Sequence, residues 1–71
     1  MSKRYNTMSI NKFDGRTYWH KSFDTIEKAK AHCHRYVHTY CDIILYDISG
    51  TTIEFVDIWI KFDGRIFIKR S

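Results

Sequence analysis

The pentapeptide Lys12-Phe13-Asp14-Gly15-Arg16 returns unchanged as Lys61-Phe62-Asp63-Gly64-Arg65, and both times it lies between two β-prone runs. An Asp-Gly pair so flanked reads as a two-residue hairpin turn, because a type I′ turn needs positive φ at both central positions. The first copy joins a strand over 5–13 to one over 16–23. The second joins 52–62 to 65–70. With two-residue loops the partners follow by counting. Ile10 faces Trp19 and Met8 faces Lys21, with Asn11 opposite Tyr18 and Ser9 opposite His20. In the second hairpin Ile60 faces Phe67 and Ile58 faces Lys69, with Trp59 opposite Ile68 and Asp57 opposite Arg70. Two units do not make a solenoid; the repeat reads as two good turns with solubilising flanks.

Between the hairpins lies one helix. Asp24 followed by Glu27 gives a capping-box pattern, and the run to Tyr40 contains neither glycine nor proline. Ile26, Ala29, Cys33, Tyr36, Val37 and Tyr40 recur at helical spacing as one apolar stripe. A strand over 42–48 follows, and Ser49-Gly50 turns the chain into the next. The order is ββαβββ: an α+β fold with one helix packed on a mostly antiparallel five-stranded sheet, in a single domain over residues 1–71.

Composition agrees with a small folded protein. The chain has 71 residues, 44% of them hydrophobic and 17% aromatic, which is more than a disordered chain carries. No apolar stretch approaches the roughly 20 residues that span a bilayer. Met1 to Asn6 is charged and leads into no apolar run, so it does not read as a signal peptide. Two cysteines are too few for a secreted disulfide framework. The expected location is cytoplasmic. The net charge of +4 permits nucleic-acid contact without forming a dense basic tract.

Chain direction places both Asp-Gly tips and the helix C-terminus at one end. Lys12, Arg16, Arg35, His38, Lys61 and Arg65 are thereby expected to form a basic rim. One helix covers one sheet face, yet the last two strands are apolar on both. Val56, Ile58, Ile60 and Phe67 fall on one side, and Ile53, Phe55, Trp59, Ile66 and Ile68 on the other. So contiguous an apolar patch calls for a partner protein or a second copy of the chain. Trp59 is the expected anchor, ringed by Phe55, Ile66 and Ile68, with Lys12, Arg16, Lys61 and Arg65 orienting the partner.

The chemistry-bearing residues make no catalytic set. His34 and His38 stand at i and i+4 near Cys41, a spacing that two imidazoles can use to share an ion. Cys33 points to the core and His32 to the flank, so no four-ligand set converges, and no metal or cofactor is expected. Neither serine nor cysteine finds a base with an orienting partner, and there is no glycine-rich phosphate loop. A non-enzymatic protein is expected. The rival function is a small DNA- or RNA-binding regulator, with Tyr18, His20, Tyr46 and Trp59 stacking on bases and the rim contacting phosphates.

Two resemblances bear on that choice. Tyr5 to Tyr40, with its Ser22-Phe23-Asp24-Thr25-Ile26-Glu27-Lys28-Ala29 strand-to-helix entry, resembles the arm-binding N-terminal domains of phage and transposon integrases, although those place three strands before the helix. The whole chain, with the Phe-Asp-Thr-Ile-Glu-Lys-Ala helix start and the Asp42-Ile43-Ile44-Leu45-Tyr46-Asp47 strand, resembles small bacteriophage accessory proteins, anti-CRISPR and other anti-defence inhibitors among them. That likeness implies a viral protein that evades host defence by occupying a host protein or ribonucleoprotein complex. It transfers no residues.

Overall fold

The computed structural model describes residues 3–70. Its elements are β1 (Tyr5–Asn11), β2 (Thr17–Phe23), α1 (Ile26–Tyr36), β3 (Cys41–Asp47), β4 (Glu54–Phe62) and β5 (Arg65–Arg70). The five strands form one antiparallel-paired sheet in the order β2-β1-β3-β4-β5, with α1 against one face. The ββαβββ α+β architecture is therefore as the sequence indicates. β2 and β3 both run antiparallel to β1, so the β2–α1–β3 connection is a crossover that carries the helix over β1.

The helix begins one residue later than the Asp24 cap and ends a turn before Tyr40. Thr25 is the N-cap, its Oγ1 accepting from Lys28 N at 3.4 Å. Asp24 instead pairs with Lys28 Nζ at 3.4 Å. At the other end the Val37 N–H bonds Cys33 O, and His38 and Cys41 then exchange backbone hydrogen bonds around Thr39-Tyr40. That tight reversal feeds β3 at once, which leaves no room for another helical turn.

The identical pentapeptides make different turns. Asp63-Gly64 is the two-residue turn, with Phe62 opposite Arg65 and φ of 53° and 72°, and every expected β4–β5 partner is met. The first copy closes four residues, because Asn11 N bonds Arg16 O and Gly15 N bonds Asn11 O. Its partners shift accordingly: Met8 faces Trp19 and Ile10 faces Thr17, not Lys21 and Trp19. The cause lies next to the repeat. Asn11 Oδ1 accepts from Phe13 N at 2.8 Å and stabilises the wider loop, whereas Ile60 at the equivalent place has no such acceptor. Tertiary contacts reinforce it, since Lys12 N bonds Tyr40 O and the Phe13 ring packs on Tyr40.

Two bulges finish the sheet. On β2, register slips between Asn6 and Met8, and the buried Thr7 hydroxyl sits against the extra residue, donating to Lys21 O and accepting from Lys21 N. On β4, Leu45 faces Asp57 while Tyr46 faces Phe55, so Val56 is extra. The core lies between α1 and the sheet and contains Ala29, Cys33, Val37, Ile43, Leu45, Trp59 and Tyr5. Of the expected helix stripe, Tyr36 and Tyr40 are exposed instead.

Candidate functional site

Trp59 overturns the expected anchor. It is 2% exposed, packed with Ile43, Leu45 and the helix. The helix covers the Trp59 side of the sheet, so the face left open is the opposite one. Ile66 packs against the same core, and Ile68, opposite Trp59 on the edge strand, is also on the helix side, beyond the main contacts of α1. Phe55 alone of the expected apolar set is on the open face. It gets there through the β4 bulge: the extra residue turns Val56 into the core and Phe55 out beside Tyr46.

The open face is apolar across all five strands. Cross-strand pairs carry Trp19 to Met8, Met8 to Ile44, and Ile44 to Ile58, while Ile60 meets Phe67 at the far edge. Three rings run across it, Trp19 to Tyr46 at 5.9 Å and Tyr46 to Phe55 at 6.4 Å. Trp19, Phe55 and Phe67 are 53%, 39% and 51% exposed. Burying one such side chain is worth about 1.5–3 kcal/mol, so covering this face would release far more than any exposed ion pair can supply.

Both hairpin tips lie at one end of the sheet, as the strand directions require. The two hairpin tips meet directly, Lys12 Nζ donating to Lys61 O at 3.3 Å. Lys12 is partly spent inside the fold, since its Nζ also lies 3.1 Å from Asp42 Oδ1, an ion pair whose angles fall outside hydrogen-bond geometry. Arg16 turns back on Asp14 at 3.7 Å. Among the described residues no carboxylate lies within ion-pair distance of Arg35, Lys61 or Arg65.

No match is found among protein-family models, curated proteins or solved structures. The surface must therefore be read from its own chemistry.

The aromatic stacking set comes apart. Trp59 is in the core, Tyr46 is on the open face, and Tyr18 lies across from buried Ser9 on the helix side. His20 faces a cavity beside α1. Cys33 offers no nucleophile either, because burial, and then the charge of Asp57, pushes its thiol up to about 12. No helix among the described residues is long and apolar enough to cross a membrane.

Proposed function

We propose that the protein acts by docking on another protein through its uncovered sheet face, as a binding and not a catalytic component. The observation that carries this is the apolar surface spanning all five strands opposite the helix, with Trp19, Phe55 and Phe67 standing out from it. The molecule's two longest extents are 37 and 23 Å, a footprint on the order of the ~800 Å² per partner of a standard interface. Its polar border is the hairpin tip, where Lys61 and Arg65 are available to orient an acidic neighbour.

The finer reading is an inhibitor of the bacteriophage anti-defence kind, which blocks a host protein or ribonucleoprotein complex by occupying it. Size and strand order support that reading, through resemblance alone. A regulator that binds DNA or RNA loses support from the scattering of its stacking residues, though the rim itself remains basic.

Capture of partners from a nuclease-treated host extract tests the docking reading through paired variants. Phe55→Asp and Phe67→Asp are expected to abolish capture, and Ile68→Asp, on the helix side, to preserve it. Capture unaffected by Phe55→Asp and Phe67→Asp, or direct binding of protein-free nucleic acid that both variants retain, sinks the reading. Sedimentation of the protein alone supplies the third outcome: a dimer dissociated by Phe55→Asp would make a second copy the occupant of this face.

A further inference from the structure

A shallow cavity of about 430 Å³ lies between β2 and the flank of α1, lined by His20, Lys21, Phe23, His32 and Tyr36. It is on the helix side, away from the docking face. Two imidazoles meet in it. His20 Nδ1 lies 3.3 Å from His32 Nε2, with the ring planes at 84°. An N–H bond to a neutral acceptor is best near ~2.9–3.0 Å, so this contact is a long hydrogen bond. It is close to the separation of two nitrogens on one metal. Ligands at 2.0–2.1 Å around a tetrahedral Zn²⁺ stand about 3.3–3.4 Å apart.

We propose that His20 Nδ1 and His32 Nε2 form a two-imidazole site for a divalent first-row transition-metal ion, Zn²⁺ or Cu²⁺, whose other positions face solvent in the cavity. Both ligands are held by structure. The β2 bulge sets the course of the strand just at His20, the usual work of such irregularities. His32 is packed between the rings of Phe23 at 5.1 Å and Tyr36 at 4.7 Å. The two nitrogens face one another with ring centroids 5.5 Å apart; to share an ion each ring would turn about its ring torsion, which is soft. Lys21 opposes a cation, but its exposed side chain is free to swing outward.

Among the described residues no third His, Cys, Asp or Glu joins the pair. The site is thus open, with modest affinity, and prefers Cu²⁺ to Zn²⁺ by the general order of divalent stabilities. An occupied site would tie the edge strand to the helix.

Thermal unfolding of the full chain with added ZnCl₂ or CuCl₂ tests the site. Metal at tenfold its Kd is expected to raise Tm by ~5 °C or more, and EDTA to reverse the rise. MgCl₂, a hard ion that wants oxygen ligands, is expected to do nothing. His20→Ala and His32→Ala should each remove the shift measured against the same variant without metal. His34→Ala, on the exposed helix face, should retain it. In spectra of the folded protein, Zn²⁺ should move the imidazole ¹⁵N resonances of His20 and His32 together. No Tm shift with excess metal, or a shift that survives His20→Ala and His32→Ala, overturns the proposal.

Discussion

Among the described residues, Asp47 concentrates more polar contacts than any other carboxylate. Its Oδ1 accepts from Ser49 N and Ser49 Oγ at 2.9 and 2.7 Å, and its Oδ2 takes Arg4 Nη2 at 3.1 Å. These contacts, with the Ser49 hydrogen bonds first, hold the carboxyl at about 2. Since the folded value lies below the unfolded one, near 3.9, the resulting stability is fully present above about pH 4 and is lost as pH falls towards 2. Denaturant titrations from pH 6 to pH 2 should therefore show an acid limb that Asp47→Asn flattens. A limb unchanged in that variant would assign it to other carboxylates. Cys33 gives a second test at this scale. Buried and held at about 12, it should resist a thiol reagent at pH 8 while half-buried Cys41 reacts. Modification of Cys33 should track global unfolding in denaturant, and fast labelling in the native state would contradict its placement under the helix.

At the scale of elements, the sequence shows every strand and the helix, because their signals are local. Alternation, a capping residue and an Asp-Gly pair all act within a few positions. What escapes it is register, for three local reasons. The same five residues make a two-residue turn after Ile60 and a four-residue loop after Asn11, where a side-chain carbonyl caps the wider turn. A bulge opposite Thr7 adds a residue to β2, and another at Val56 exchanges Phe55 with its neighbour between faces. Nothing in a period-2 pattern marks a bulge, and one extra residue inverts the faces beyond it. The Asn11 account makes a prediction. Asn11→Ala should cost about 1 kcal/mol, the ordinary worth of one hydrogen bond, and loosen only the first loop in amide exchange, leaving Asp63-Gly64 unchanged. Gly15→Ala and Gly64→Ala should cost similar amounts, about 1–2 kcal/mol each. Both glycines have φ of 72° with nothing within 4 Å of an added Cβ, so the penalty is conformational and not steric. A much larger loss at either would mean the new methyl collides after all.

For the molecule as a whole, the question that sequence leaves open is which sheet face the helix takes. Both faces of β4 and β5 are apolar, and the choice depends on where the crossover lands, a property of the whole chain. The basic tip was legible because strand direction alone determines it. The anchor residue was not, and Trp59, the largest side chain among the candidates, proves to be the centre of the core. Two substitutions separate the faces. Trp59→Ala should remove about 3–5 kcal/mol, much of the total for a domain of this size at ~0.05–0.15 kcal/mol per residue. It should lower the urea midpoint severely or unfold the protein. Phe55→Asp falls on the solvent side of the same strand and should leave the midpoint nearly in place, since exposed substitutions usually stay within ~0.5 kcal/mol. It should also weaken the binding of a dye that fluoresces on apolar surfaces, because the row from Trp19 through Tyr46 to Phe55 is broken. The reverse pattern, with Trp59→Ala stable and Phe55→Asp unfolded, would place the helix on the other face and remove the basis for docking through this one.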